Sequence, residues 1–274
     1  MSLYEEINKN GFVIFKNILK CDSLMKARDE ILKLDESFLE MHIHNTNTKN
    51  PVVYQTYKKD PFTLKSIQDL FIGTNFIKSV KNATMANCLT YFGDSTVMIG
   101  EGQRGFHKDN IHAHQNDMHS IDYAPDYDLY RLGIYLQDTK NYSGGIQFRK
   151  SSHMHAGRWK GNIVNADAEL GDVVCWKLTS THSGNTLKLR LFPSFNIIPR
   201  VSSYLPRTLF KDYEDKRVAV FITFAAKGSD YLKPYLTDLR SRKYFKDFQI
   251  DELPRDLIDC LHPMGFEVRS NSVS

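Results

Sequence analysis

His107 and Asp109 stand two residues apart in Phe106-His107-Lys108-Asp109-Asn110. In an extended strand residues i and i+2 share a face, so one imidazole and one carboxylate point the same way. Two histidines and one carboxylate on one face hold non-haem Fe(II), and this pair supplies two of the three legs. The third has to come from a distant strand. His182 is the candidate: Gly171-Asp172 makes a turn, a short apolar run begins at Val173, and His182-Ser183-Gly184-Asn185 follows. Read as one strand, this stretch delivers a histidine at its far end.

Other histidine pairs compete for a metal. His42-x-His44 lies between Met41 and Lys59, a polar segment read as an irregular loop that returns as a strand at Val52-Val53-Tyr54. His112-x-His114 lies in the polar stretch 110–128, together with His119, and reads as part of a loop over the site mouth. His153-x-His155 follows a strand rather than lying in it. A cupin places a glutamate soon after its H-x-H pair, and none occurs between His114 and Glu169. These histidines are therefore read as loop residues. His42 and His44 lie near the substrate, His112 and His114 face it, and His153 orders its loop by hydrogen bonding.

The elements that position these side chains follow from hydrophobic period. Leu3, Tyr4 and Ile7 predict a short helix stopped by Gly11, and Phe12 to Leu19 a strand. Asp22 and Ser23 are good N-caps for a helix with Leu24, Ala27, Ile31 and Leu34 on one face. Helical spacing recurs at Leu64, Ile67, Leu70 and Phe71, then at Phe76, Ile77 and Val80. From about Leu89 short strands and turn signals take over, the pattern of a sandwich or jelly roll. Thr96 to Ile99, the alternating Tyr130 to Gln137 and Gly144 to Phe148 are strands of that kind. After Gly228 the chain turns polar and helical, with apolar spacing at Tyr231 to Leu239 and at Ile250 to Ile258. Those segments either cover a face of the barrel or form a homo-oligomer contact. With no linker-like tract or internal repeat, the 274 residues are predicted to be one domain: 1–88 helical support, 89–228 core and 229–274 helical extension.

Composition narrows the class. The chain is 41% hydrophobic and 25% charged with a net charge of +4, ordinary for a globular protein. Cations and acids are interleaved, which argues against nucleic-acid binding. Cys21, Cys88, Cys175 and Cys260 are far apart with no CxxC pair, so a zinc ribbon is excluded and Cys175 is read as core. No run approaches a membrane span, and Met1 to Glu6 lacks the features of a signal peptide, so a cytoplasmic location is expected.

Several motifs occur in an order that resembles the phytanoyl-CoA dioxygenase family of Fe(II)- and 2-oxoglutarate-dependent oxygenases. They are Gly11-Phe12-Val13-Ile14-Phe15, His107-x-Asp109, Ser152-His153 after Gly144-Gly145, the Gly171-Asp172 stretch ending in His182, and Arg217 opening Val218 to Phe224. Ser151 departs from the family, which has glycine there. The resemblance covers roughly residues 10–228 and implies a mainly β fold with flanking helices around a double-stranded β-helix, or jelly-roll, core. It implies Fe(II), 2-oxoglutarate and O2 as cofactors, with His107, Asp109 and His182 as metal ligands. The implied reaction hydroxylates a C–H bond while 2-oxoglutarate is decarboxylated to succinate and CO2.

In the family an arginine about ten residues after the distal histidine holds the far carboxylate of 2-oxoglutarate. Arg190 lies eight residues after His182 and Arg217 lies 35 after it. Arg217 is chosen because it opens the cleaner strand, while Pro193 disfavours a central strand at Arg190. Residues 191–216 then form an insertion. Ser183 and Tyr135 are candidate second partners of that carboxylate, and Trp176 is read as core. A small, polar substrate is expected, with Arg104, Lys108, His112, His114 and Arg131 as candidate contacts. A cupin-like metalloenzyme without 2-oxoglutarate and a non-catalytic glycan-binding jelly roll remain the alternative readings.

Overall fold

The computed structural model describes residues 1–274 except 45–46, 73–74, 102–104, 111–120, 139–144, 185–186, 194, 196, 212–215, 242–252 and 270–274. Its helices are α1 (Leu3–Asn10), α2 (Cys21–Leu32), α3 (Lys65–Phe71), α4 (Phe76–Thr84), α5 (Pro199–Ser202), α6 (Leu232–Ser241) and α7 (Arg255–Leu261). Its strands are β1 (Phe12–Phe15), β2 (Leu39–His44), β3 (Val52–Tyr57), β4 (Leu89–Gly100), β5 (Leu129–Tyr135), β6 (Ile146–Arg149), β7 (Ile163–Ala166), β8 (Val173–Lys177), β9 (His182–Ser183), β10 (Val218–Ala226) and β11 (Phe266–Val268).

The strands form two sheets. The larger runs β1-β8-β5-β10-β4-β3-β2, all antiparallel, with β11 added parallel to β4. The smaller runs β7-β6-β9, and His107 extends it through a bridge to His182. Between Leu89 and Ala226 the chain passes back and forth between the sheets. Their facing sides share one apolar layer, in which Tyr135, Val174, Trp176 and Ala219 of the larger sheet meet Ile146, Phe148 and Ala166 of the smaller. The other side of the larger sheet is covered by α1 to α4 and α7 over the main core, which includes Val13, Leu24, Ile67, Val80, Leu132 and Val220.

Local chemistry explains the departures from expectation. The first strand stops at Phe15 because Asn17 takes a positive φ of 50°. The second helix begins at Cys21, so Asp22 lies inside its first turn rather than capping it. The segment expected to be mostly loop from Met41 is a β2–β3 hairpin: Met41 and Ile43 alternate with His42 and His44, a strand period overlooked among polar residues. Residues 1–88 thus add three strands to the larger sheet, and the C-terminal part adds β11. The insertion 191–216 is anchored by a small core of Leu187, Ile197 and Phe210, and by Asn50, whose amide donates to Ser202 O and Leu205 O. Cys175 is buried as expected, and all four cysteines are free. No described helix is long and apolar enough to cross a membrane.

Candidate active site

The chain folds the three ligand candidates together by pairing two backbones. His107 and His182 exchange both N–H···O bonds, at 2.9 Å each, and Asp109 N donates to Leu178 O at 2.9 Å. The imidazoles consequently lie side by side with ring centroids 4.2 Å apart. Neither histidine arrives on the long strand expected. His107 makes only an isolated bridge, and β8 ends at Lys177. The hydroxyl-bearing Thr179-Ser180-Thr181 then turns the chain across to the smaller sheet, with Ser180 Oγ donating to Gly11 O at 2.7 Å.

One ligating atom from each of His107, Asp109 and His182 lies within 4.8 Å of the other two, and no other such cluster occurs among the described residues. His107 Nδ1 lies 2.8 Å from Gly105 O, and His182 Nδ1 lies 3.1 Å from Ser180 O. A carbonyl only accepts, so both Nδ1 atoms carry the proton and both Nε2 lone pairs face the cluster, the tautomer a metal requires. Burial pulls the His182 pKa down to about 4, with Asp109 opposing, so this ring is neutral at pH 7. The residues present fit a divalent metal with nitrogen and oxygen preference.

Asp109 is held from behind. Its Oδ2 lies 3.2 Å from an Arg131 guanidinium nitrogen and accepts from Trp176 Nε1 at 3.3 Å. Arg131 also donates to Asp94 Oδ2 at 2.6 Å and to Thr223 Oγ1 at 2.9 Å, and Tyr235 Oη donates to the same Asp94 oxygen at 2.7 Å. Burial alone would raise the Asp109 pKa, yet Arg131 and the two imidazoles bring it below the usual carboxylate range. Burial likewise disfavours the Arg131 cation, and the two carboxylates more than offset it. Asp94 reaches this place through a bulge: β4 has Phe92, Gly93 and Asp94 where β10 has Thr223 alone, and Gly93 takes φ 86°. Gly133 makes room for Trp176, since a Cβ there would lie 2.9 Å from the indole.

Arg217, just before β10, is 4% exposed. Its guanidinium lies over the Tyr135 ring, 5.1 Å from the centroid, and 3.8 Å from Met98 Sδ. Among the described residues no carboxylate pairs with it, and both Arg217 Nε and Tyr135 Oη are buried without a hydrogen-bond partner. Burial lowers its pKa from the ordinary arginine value. Its backbone is fixed on both sides, by Arg28 donating to Lys216 O at 2.9 Å and by Val218 N donating to Gln137 Oε1 at 2.7 Å. A buried cation beside an orphan phenol is a place for an anionic oxygen. Arg190, the competing candidate, is exposed and donates to Phe210 O.

Three further candidates, Lys108, Arg131 and Ser183, make internal contacts or turn from the cluster. Lys108 points away from the ligand cluster. Alternation turns it away from its neighbouring ligands, and its buried amine donates to the carbonyls of Ser152, His155 and Thr179. Burial brings the Lys108 pKa down to about 7. Arg131, also expected at substrate, lies beneath Asp109 with its guanidinium shared among Asp109, Asp94 and Thr223. Ser183 is buried and, by strand alternation, faces away from the side of β9 that carries His182. Arg104, His112 and His114 lie outside the described residues.

His153 orders its loop as expected, with Nε2 2.9 Å from Asn8 O. Gly11 (φ 86°) permits this close packing, because a Cβ there would lie 2.7 Å from His153 Nδ1 and 2.6 Å from Ser180 Oγ. Burial lowers the His153 pKa to about 4. Since the unfolded chain takes up this proton near pH 6.5, stability is full above that pH and lost as pH falls toward 4. His153→Gln is expected to flatten urea-measured stability between pH 6.5 and 4 by up to about 3 kcal/mol. An unchanged slope would show that this proton is not the one linked to acid unfolding.

Sequence reasoning missed Asp94, Tyr235 and the contact of Trp176 with Asp109. The available signal was Asp94 itself, the one charged residue of β4, which when buried calls for a cation.

No family model matches the sequence, and no curated protein matches it. Solved structures do. The chain is similar to the non-haem alpha ketoglutarate dependent epimerase SnoN from nogalamycin biosynthesis, with TM-score 0.55, 11% identity and coverage of 81% of this chain and 79% of that one. It is similar to the carbocyclase SnoK from the same biosynthesis, with TM-score 0.52, 12% identity and coverage of 85% and 89%. HygX from Streptomyces hygroscopicus, with nickel and 2-oxoglutarate bound, aligns with TM-score 0.50, 10% identity and coverage of 82% and 86%. The chain therefore has the fold of the 2-oxoglutarate-dependent non-haem iron enzymes.

Proposed function

We propose that this protein is an Fe(II)- and 2-oxoglutarate-dependent dioxygenase that hydroxylates a C–H bond of a small, polar substrate. The observation that carries this reading is the buried, unpaired Arg217 on the same interior face as the His107–Asp109–His182 cluster. Neither a metalloenzyme working without an oxo acid nor a plain glycan binder has a use for such a cation. His107 and His182 would hold iron through Nε2 and Asp109 through Oδ1, its other oxygen being engaged by Arg131 and Trp176. Arg217 and the Tyr135 hydroxyl would hold the far carboxylate of 2-oxoglutarate. Arg131 and Tyr135 are four residues apart on β5, roughly 13 Å along the strand, so the two ends of the site are well separated. When bound, iron and 2-oxoglutarate supply the oxidising chemistry by activating O2.

What the chain contributes is position and the exclusion of water. The apolar layer of Phe148, Trp176 and Phe221 walls the ligand cluster. The carboxylate at position 109 supports hydroxylation over halogenation, since related halogenases carry a small residue there. The order of motifs supports placement near the phytanoyl-CoA dioxygenases, and the alternating strands support a double-stranded β-helix core. We treat 1–274 as a single domain because both ends add strands to the larger sheet.

Anaerobic titration of the protein with Fe(II) and 2-oxoglutarate tests the reading. A visible charge-transfer band is expected in the wild type and none in His107→Ala. Tight Fe(II) binding without the band would instead indicate a metalloenzyme that does not use 2-oxoglutarate, and absence of Fe(II) binding would favour the binding module.

A further inference from the structure

The ligand cluster sits at one end of the larger sheet, and the C-terminal extension covers that end. Helix α6 packs Leu232, Leu236 and Leu239 into one apolar cluster with Leu129, where β5 begins, and Leu178, just past the end of β8. Arg217 lies at the other end, just before β10. Leu178 is also the residue whose carbonyl accepts from Asp109 N. The apolar side of α6 therefore backs the segment that fixes a candidate ligand.

Tyr235 brings a polar atom to that side of the helix. It is buried, and its ring meets Phe92 edge-on, with centroids 5.9 Å apart and 66° between planes. Its hydroxyl reaches past this contact to Asp94 Oδ2 at 2.7 Å. The same oxygen accepts from one Arg131 nitrogen at 2.6 Å, and another nitrogen of Arg131 lies 3.2 Å from Asp109 Oδ2. Tyr235, Asp94, Arg131 and Asp109 are thus linked in series from α6 to the cluster.

The distances show which way this series leans. Two carboxylates share one guanidinium, and the shorter contact goes to Asp94. Short, charge-assisted bonds are the stronger ones. The Tyr235 hydroxyl meets part of the demand of Asp94 for donors. Without it Asp94 claims more of Arg131, and Asp109 Oδ2 loses the cation that holds it. Trp176 Nε1, at 3.3 Å, makes a long bond to that oxygen and holds it weakly by itself.

We infer that Tyr235 is a positioning residue for Asp109, acting through Asp94 and Arg131, so that α6 belongs to the metal centre and is more than a cover for the sheet. This rests on the reading of His107, Asp109 and His182 as iron ligands.

The test is anaerobic competition for Fe(II) between the full chain and a chelating dye. Tyr235→Phe keeps the ring and its contact with Phe92 and removes only the hydroxyl. It is expected to bind Fe(II) about three- to tenfold more weakly than wild type, less than the roughly 10–100-fold loss typical of a group bonded to the ligand itself. Its Fe(II)–2-oxoglutarate band should also move to longer wavelength, because a carboxylate freed of its cation gives more charge to the metal. Tyr231→Phe is the control. It removes a hydroxyl that donates to Asp126 at 2.6 Å, just before the same helix, and should leave both readouts unchanged. In an Asp94→Asn background the competition for Arg131 is gone, so Tyr235→Phe should cause no further loss of affinity. A loss that arises from poor folding would persist there, which keeps the two causes apart. Equal Fe(II) affinity in Tyr235→Phe and wild type, an unmoved band, an equal loss in Tyr231→Phe, or an undiminished loss in the Asp94→Asn background would overturn the inference. Failure of the dioxygenase reading looks different: wild type then binds Fe(II) without forming the band, and the affinities alone decide the role of Tyr235. A wild type that binds no Fe(II) overturns both.

Discussion

Arg217→Met is expected to bind 2-oxoglutarate at least 100-fold more weakly than wild type and yet to unfold at higher temperature when no ligand is present. The first effect is the loss of a buried, charge-assisted contact to a carboxylate, on the order of 3 kcal/mol. The second follows from the free protein. Arg217 is buried with no carboxylate partner among the described residues, and its Nε makes no hydrogen bond. A buried cation of that kind destabilises the chain that carries it, and a methionine of similar length removes the cost. Thermal unfolding with and without 2-oxoglutarate reads both effects. The wild-type midpoint should rise with the ligand, while that of Arg217→Met should start higher and stay constant. Arg190→Met, at an exposed position, should behave as wild type in both respects. A variant that loses stability and keeps its affinity would place the cosubstrate elsewhere.

Arg131→Met should cause the largest loss of stability of any single change at the site. It leaves Asp109 and Asp94 buried together without the cation between them. Breaking a buried pair in this way costs about 3–5 kcal/mol. Removal of a group that orients a metal ligand costs a further 10–100-fold in metal affinity. The two effects separate in a double-mutant cycle. Adding Asp94→Asn to Arg131→Met should recover part of the folding free energy, because it removes one of the two stranded charges. It should not recover Fe(II) affinity, which depends on the Oδ2 contact to Asp109. Urea unfolding and competition for Fe(II) against a chelating dye give the two readouts. Equal Fe(II) affinity in wild type and Arg131→Met would show that Arg131 serves the fold alone.

The contrast between Arg131 and Arg217 shows what was legible in the sequence. Arg217 could be chosen over Arg190 because strand quality is a local property, visible in Val218 to Phe224 and broken by Pro193. The His-x-Asp pair was legible for the same reason: two side chains on one short extended stretch. Arg131 was misread because a charged residue on an alternating strand looks alike whether its partner is a substrate or Asp94. The partner lies 37 positions back, behind a bulge that no period reveals. Lys108 was misread similarly, since its three acceptors are backbone carbonyls, which any sequence supplies. The β2 half of the hairpin was missed because His42 and His44 pair across the strands with Thr56 and Tyr54 rather than burying an apolar face. The route to His182 was misjudged at Thr179-Ser180-Thr181, where hydroxyls turn the chain between sheets in a stretch that reads as one strand.

The joint between α1 and β1 has a consequence for how the protein is made. Gly11 O accepts from Ser180 Oγ and from Lys177 N, Lys9 O accepts from Ser151 Oγ, and His153 pairs with Asn8 O. These bonds join the start of the chain to the segments that present His107 and His182, across separations of 142 to 169 residues. A ribosome adding about 5–20 residues per second needs roughly ten to thirty seconds to cover that distance. For that interval α1 can pack only against the helices made soon after it, and the strand that follows it has an open edge. Contacts so distant in sequence form late, because their loops must close first. The candidate metal ligands are thus secured by a segment synthesised long before the strands it joins, so assembly of the cluster awaits synthesis past His182.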